Sequence, residues 1–304
     1  MTMTATSSRD RAIGALLGLA VGDAVGTTLE FSERDWQPPL LDMIGGGPFG
    51  LRPGVWTDDT SMALCLADSL LAADGLDRLD LMRRFLGWME RGENTVDGRC
   101  FDIGMATRAA LSRFCDSGDP IAGSRDPMSA GNGSLMRLAP VAIRWHRDAA
   151  RAVLEARRQS ETTHAAAAAL DACAYFANLL VQAIGGGSRT EVLQPIDLEG
   201  DPAVRQVASG SWLGKSRGRI ESSGYVVHTL EAALWSVAGA ASFEDAVLRA
   251  ANLADDADTV AAVAGQLAGA LWGVSGIPPH WRDRLAWRDD IEARAAALFD
   301  KGLA

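Results

Sequence analysis

Apolar residues recur every three or four positions along this chain and seldom alternate, a period that belongs to helices. The stretch RAIGALLGLAVGDAVG carries Ile13, Leu16, Leu17 and Ala20 on one face. DLMRRFLGWMERG groups Leu81, Phe85, Trp88 and Met89 in the same way. HAAAAALDACAYFANLLVQAIGGG is predicted to start near Thr162 and Thr163 and to stop at its glycine triplet, as a glycine-capped helix does. YVVHTLEAALWSVAGA and DTVAAVAGQLAGALWG repeat the pattern, the second through Val260, Val263, Leu267 and Leu271. Alternating β-branched runs are scarce, and no Asn-Gly turn joins two of them, so no hairpin is predicted. Alanine and glycine crowd the helical stretches, and small side chains let helices approach closely. Three irregular segments separate them: Trp36 to Trp56, Gly118 to Gly133, and Gly185 to Gly218, the last with a short helix inside. No repeat and no linker breaks the chain. One all-α domain over residues 1–304 is predicted, with residues 1–9 as a flexible polar tail.

Composition narrows the function. The chain has 304 residues, 48% of them hydrophobic, enough for a large core. A net charge of −10 gives no basic footprint for nucleic acid. It also gives no long-range attraction for an anionic ligand, so any phosphate must be held locally, by metal ions or backbone amides. Cys65, Cys100, Cys115 and Cys173 form no CxxC pair. The N-terminal MTMTATSSRDR has no apolar signal core, and no run of 18 apolar residues appears. A reduced, cytoplasmic, monomeric protein without a membrane span is expected.

Most short motifs fail on context. GGGPFG, Gly45 to Gly50, fits GxGxxG, but Pro48 and Pro53 deny it the helix that should follow, and no βαβ unit surrounds it. DDADT lacks the glycine and glutamate of a calcium loop. No HExxH and no GxSxG occurs. Two acidic clusters are harder to dismiss. WTDDT opens one apolar helix and LADDADTV opens another, about 200 residues later. Both suit helix capping, since Thr or Asp at an N-cap accepts a free backbone N–H and acids in the first turn suit the dipole. Both also suit a hard divalent cation, which takes oxygen ligands. The two readings stand side by side.

Taken in order, the motifs resemble the ADP-ribosylglycohydrolase family over nearly the whole length. GALLGLAVGDAVGTTLEF resembles its opening helix, with an acidic residue at Glu30. WTDDT is its first metal motif. CFDIGMATRAAL resembles the segment whose aspartate, here Asp102, faces the substrate linkage. GNGSLMR matches its Gly-Asn-Gly loop, TTH the start of a Thr-His motif, and SSGYVVHTLEAALW a ribose-side tyrosine segment. DDADT matches the second metal motif.

The resemblance implies an orthogonal helical bundle holding two Mg²⁺ or Mn²⁺ ions in a cleft. Its implied ligands are Thr57, Asp58, Asp59, Asp256, Asp258 and Thr259. Glu30, on a loop near the metals, and Asp59 would share the catalytic work with Asp102, which would pair with an arginine guanidinium. Gly131, Asn132, Gly133 and Ser134 would offer amides and a hydroxyl to the diphosphate, beside His164 and Tyr225. The implied reaction removes ADP-ribose from a modified arginine of a protein, releasing ADP-ribose. Another linkage (serine or O-acyl ester), or an ADP-ribose-binding or immunity protein of weak activity, is the alternative. Departures from the pattern are Ala254 and Asp255 where the family has two glycines, Ala166 and Ala167 after His164, and Met105 near Asp102.

Overall fold

The computed structural model describes residues 6–303. Among them the chain forms fourteen α-helices and no strand, only three isolated bridges. In order these are α1 (Ser8–Gly26), α2 (Asp58–Ala72), α3 (Arg78–Arg91), α4 (Met105–Ser117), α5 (Ala139–Arg144), α6 (Ala149–Ser160) and α7 (Ala167–Ile184). Then come α8 (Arg189–Val192), α9 (Pro202–Ala208), α10 (Val226–Ala238), α11 (Phe243–Ala251), α12 (Ala257–Trp272), α13 (Pro279–Arg284) and α14 (Arg288–Lys301). The chain is an all-α bundle, as its periodicity predicts.

Helices α1 and α12 form its axis, antiparallel and in backbone contact. A glycine inside a helix costs about 1 kcal/mol relative to alanine. Helix α1 nevertheless carries one at every fourth position, Gly14, Gly18, Gly22 and Gly26. A Cβ at these positions would fall on the carbonyl oxygens of Gly269, Gly265, Ala261 and Ala257 in turn. Gly265 and Gly269 meet the carbonyls of Gly18 and Gly14 in return. Each side of the seam needs the other's missing side chain. Helices α14, α11, α5 and α7 pack around α1, and α10, α11 and α7 around α12. The core also buries Trp56, Trp88, Trp281, Phe85 and Phe176.

Two boundaries differ from expectation. Helix α1 begins at Ser8, because the Ser7 hydroxyl accepts the Asp10 amide at 3.1 Å and Arg9 pairs with Asp300 at 3.2 Å. The predicted tail therefore loses its last residues to the helix, and residues 1–5 lie outside the described residues. Helix α7 starts at Ala167, not near Thr162. Thr162, Thr163 and His164 form a separate turn after α6, held by Thr163 N–H to Ser160 and by side-chain bonds described below. The Gly185 to Gly218 segment holds two short helices rather than one. All four cysteines are free. Ser8–Leu29 and Ala167–Ile184 are long and apolar enough to cross a bilayer, and 94% and 78% of those windows are buried inside the protein.

The seam yields a test with an unusual sign. Gly18→Ala should gain helix propensity, yet its methyl meets backbone that cannot yield. We expect a net loss of about 1–3 kcal/mol, the range for overpacking, read by thermal unfolding. A higher Tm for Gly18→Ala would contradict the close approach.

Candidate metal centre and cleft

The capping reading fails for both acidic clusters. Neither Thr57 at the start of α2 nor Asp256 at the start of α12 makes a side-chain cap bond. Both helices are capped from outside instead. Asp23, on α1, accepts the Thr57 and Thr60 amides at 2.9 and 3.0 Å and the Thr60 hydroxyl at 2.6 Å. Glu30, just beyond α1, accepts the Asp258 amide on Oε2 at 3.1 Å. Within the clusters only Asp258 Oδ1 takes a first-turn amide, that of Thr259 at 2.6 Å; the other carboxylates are left for something else.

The two clusters meet. Thr57 Oγ1 lies 3.3 Å from Asp258 Oδ2 and 2.9 Å from Asp23 Oδ1. Thr259 Oγ1 lies 3.3 Å from Asp59 Oδ1. One oxygen from each of Glu30, Asp256 and Asp258 sits within 4.8 Å of the others. The seam explains the meeting: its last contact, Gly26 on Ala257, delivers Asp258 and Thr259 to the end of α1.

Charge here is crowded and dry. Desolvation, followed by the neighbouring carboxylates, pushes Asp58, Asp59 and Asp258 well above the usual carboxylate range. Burial raises Asp256 as well. It raises Asp23 to about 6 despite its hydrogen bonds, Asp102 to about 7, and Glu30 to about 8 with help from Asp256. The buried acids with basic partners lie elsewhere, at Glu155 with Arg151 and Arg158, Asp171 with Arg157 and Glu231 with Lys215. Asp59 Oδ2 is buried without any hydrogen-bond partner among the described residues. An unpaired oxygen in an all-oxygen set of carboxylates and hydroxyls fits a hard divalent cation. Buried charge without such compensation is strongly unfavourable.

The cluster forms the floor of a cleft of about 880 Å³, reached by Glu30, Asp58, Asp102, Asn132, Asp256 and Thr259. Asp102 is not a helix cap, since Gly104 holds that position. It is held at φ 60°, in the left-handed region, over the acidic floor. Asn132 donates Nδ2–H to Asp256 Oδ2 at 2.7 Å, tying the Gly-Asn-Gly loop to the cluster. Gly131 and Gly133 lie on the His164 ring, and a Cβ at Gly133 would come 2.7 Å from His164 Cε1. The amides of Gly131 and Asn132 are spent on Ser129 and Gly224. Those of Gly133 and Ser134 have no acceptor among the described residues.

Two expected site residues make other contacts in this structure. The Ser134 hydroxyl faces away from the cleft, bonded to Ser160 Oγ at 2.7 Å and near Cys173 Sγ, because the loop's turn points that side chain into the core. Ser134 as a whole is fully buried and does not line the cleft. Tyr225 is absent from the cleft wall. Its backbone pairs with Gly131 and its ring packs edge-on against His228, so it supports the loop from behind. His164 does line the cleft, almost fully buried.

Several residues carried no assigned role in the sequence reading. Asp23 is the polar exception on the buried face of α1, which is the signal that would have found it. Arg34 pins the Glu30 loop, donating to the Leu253, Arg217 and Ile220 carbonyls at 2.7–2.8 Å. Phe31, Met105 and Met128 stand at the mouth, 65%, 91% and 92% exposed, an apolar collar around Asp102. Ala254 and Asp255, where the resemblance has glycines, adopt φ of 61° and 63°. The backbone keeps the glycine conformation without the glycine, and Phe31 N–H to Asp255 C=O at 2.7 Å holds it there.

Comparison with known proteins places this geometry. A profile of the ADP-ribosylglycohydrolase family matches residues 4–303, and the chain belongs to that family. It is 51% identical to ADP-ribosylarginine hydrolase Tri1 of Pseudomonas putida (strain GB-1), over 99% of this chain and 81% of that protein. It is 33% identical to the ADP-ribosyl-[dinitrogen reductase] glycohydrolase of Rhodospirillum rubrum, over 96% of each. A solved structure described as an ADP-ribosylglycohydrolase-related protein complex superposes with a TM-score of 0.88 at 43% identity, covering 97% of this chain and 99% of that one.

Two predictions follow from the site's electrostatics and strain. Asp23, Asp102 and Glu30 hold protons to about 6, 7 and 8 when folded, against about 4 unfolded. The folded state binds more protons through that window, so these groups cost stability as pH rises from about 5 to 8. A cation removes the cost. The Tm gain from millimolar Mn²⁺ or Mg²⁺ over chelator should therefore grow with pH across that range; a gain independent of pH would contradict the shared field. Separately, Ala254→Gly relieves a left-handed alanine and should stabilise by about 1 kcal/mol, read by denaturant unfolding. A loss of stability would show that the alanine is unstrained.

Proposed function

We propose that the chain hydrolyses the N-glycosidic bond between ADP-ribose and a protein arginine, reversing mono-ADP-ribosylation and releasing ADP-ribose. The convergence of WTDDT and DDADT on one cleft floor carries this reading. The names of its relatives, ADP-ribosylarginine hydrolases at 51% and 45% identity, support the arginine linkage. We take the chain as one domain acting as a cytoplasmic monomer; its four free thiols suit that compartment.

Thr57, Asp58, Asp59, Asp256, Asp258 and Thr259 would hold the cations, two Mg²⁺ or Mn²⁺ ions, whose positive charge would orient the ribose hydroxyls and a water. The chain's own groups do the rest. Asp102 faces the guanidinium, which binds carboxylates in a two-point fork. Cleavage builds positive charge at the anomeric carbon, and the surrounding carboxylates stabilise it. Glu30 spends Oε2 on the Asp258 amide and lines the cleft, where it positions the water or the leaving group. The free amide of Gly133, which lines the cleft, receives a diphosphate oxygen. Asn132 fixes that loop to Asp256, so diphosphate and ribose are held in one register. Met105, exposed beside Asp102, is the observation that favours weighing another linkage.

The test is a panel of adducts (arginine, serine, acetyl ester) assayed with Mg²⁺ and with Mn²⁺. Arginine adducts are expected to turn over fastest. Asp58→Ala and Asp258→Ala should each lower kcat by at least about 100-fold, the scale for losing a charge that stabilises the transition state, with helical content unchanged. Asp102→Asn should reduce kcat/KM for the arginine adduct more than for the serine adduct. Faster serine turnover, or equal losses for Asp102→Asn, would move the linkage away from arginine.

A further inference from the structure

Behind the Gly-Asn-Gly loop lies a cation that the chemistry above leaves unused. Arg137 is fully buried and has no carboxylate partner among the described residues. Its Nε donates to Gln159 Oε1 at 2.9 Å, and its Nη2 reaches the Gln159 carbonyl at 3.1 Å and Thr163 Oγ1 at 2.9 Å. The guanidinium stacks 4.5 Å from the centre of the Phe85 ring. Burying a charge this way is expensive, and its donors converge on the turn that carries His164.

Proton bookkeeping at that turn has one solution. A guanidinium only donates, so Thr163 Oγ1 accepts from Arg137. Thr163 is buried, and the acceptor for its own proton is His164 Nδ1, 2.8 Å away. Thr162 cannot compete, because its hydroxyl already donates to the Gln159 carbonyl at 2.6 Å. His164 Nδ1 is therefore the unprotonated nitrogen, and the ring proton sits on Nε2. The Nε2 edge lies under the glycine loop, where a Cβ at Gly133 or Gly131 would stand 3.2 or 3.3 Å from it.

We propose that Arg137, acting through the Thr163 hydroxyl, is a positioning residue that locks His164 in its Nε2–H neutral tautomer, so that the cleft wall presents one fixed uncharged donor beside the Gly133 amide. The proposal rests on the reading of this loop as the diphosphate side of the cleft. Shifting the ring proton to Nδ1 would orphan the buried Thr163 hydroxyl proton, disfavouring that tautomer roughly 5- to 150-fold. Burial, then the guanidinium, pushes His164 down to about 3, so the imidazolium does not compete at neutral pH.

Nitrogen-15 NMR of the histidine side chains reads the tautomer directly, in the full chain without substrate. His164 is assigned among the four histidines by the peaks lost in His164→Asn. The native protein should show an unprotonated Nδ1 and a protonated Nε2. Thr163→Val, which keeps the volume and removes the hydroxyl, should mix the tautomers, and Thr163→Ser should restore the lock. Arg137→Met should mix them too; should that variant not fold, the Thr163 pair decides. In kinetics, Thr163→Val should raise KM for an ADP-ribosylated substrate several-fold with kcat nearly unchanged, the mark of lost uniform binding. A native Nδ1–H, or a tautomer unmoved in Thr163→Val or in folded Arg137→Met, would overturn the lock. Because the spectrum needs no turnover, this failure is distinct from a failure of the arginine-hydrolase reading.

Discussion

The glycine seam between α1 and α12 is the contact on which the rest of the molecule depends. Gly14, Gly18, Gly22 and Gly26 meet carbonyls of α12 in strict antiparallel order, so the register of the two helices is fixed without choice of rotamer. That register decides where the chemistry sits. A slip of one residue would turn α12 by about 100° and slide it about 1.5 Å, carrying Asp258 off the α1 end. The packing and the cleft floor are thus one problem solved once. Glycine's usual penalty in helices is accepted because no other residue permits the approach.

The second constraint is charge. Seven carboxylates (Asp23, Glu30, Asp58, Asp59, Asp102, Asp256, Asp258) are gathered where water is scarce, and each is pushed toward its protonated form. Two features temper this. The N-termini of α2 and α12 point into the cluster, and helix N-termini favour negative charge. Asp23 and Glu30 satisfy amides of those same termini from neighbouring segments. Capping and cation binding, which compete as readings of WTDDT and DDADT, are largely separated in space: outside residues do most of the capping, and apart from the Asp258 bond to the Thr259 amide the cluster carboxylates are freed.

The sequence was informative where a pattern has one physical meaning. Period and small-residue content dictate an all-α bundle, and donor chemistry marks the two Asp-Thr clusters as candidate cation ligands, while their pairing in one centre is what the family resemblance implies. It was less so where meaning depends on which way a side chain turns. Ser134 is adjacent to the loop's free amides, yet its hydroxyl faces the core. Tyr225 shares the loop's backbone ladder and not the cleft. The late start of α7 was hidden because Thr162 and Thr163 look like caps but spend their hydroxyls on Gln159, Arg137 and His164. Asp23 reads as one polar residue in an apolar helix until α2 is seen to end on it. Ala254 and Asp255 conceal a glycine conformation that only the backbone angles reveal.

Cation binding to the two clusters tests the account most directly. Mn²⁺ titration, followed calorimetrically or by EPR, would compare the native chain with Asp58→Asn, Asp258→Asn and the double variant. If both clusters hold the same centre, each single change weakens binding by at least about tenfold and the double loss falls well short of the sum, as coupled residues require. Native affinity in either single variant, or losses that add as from independent sites, would contradict it.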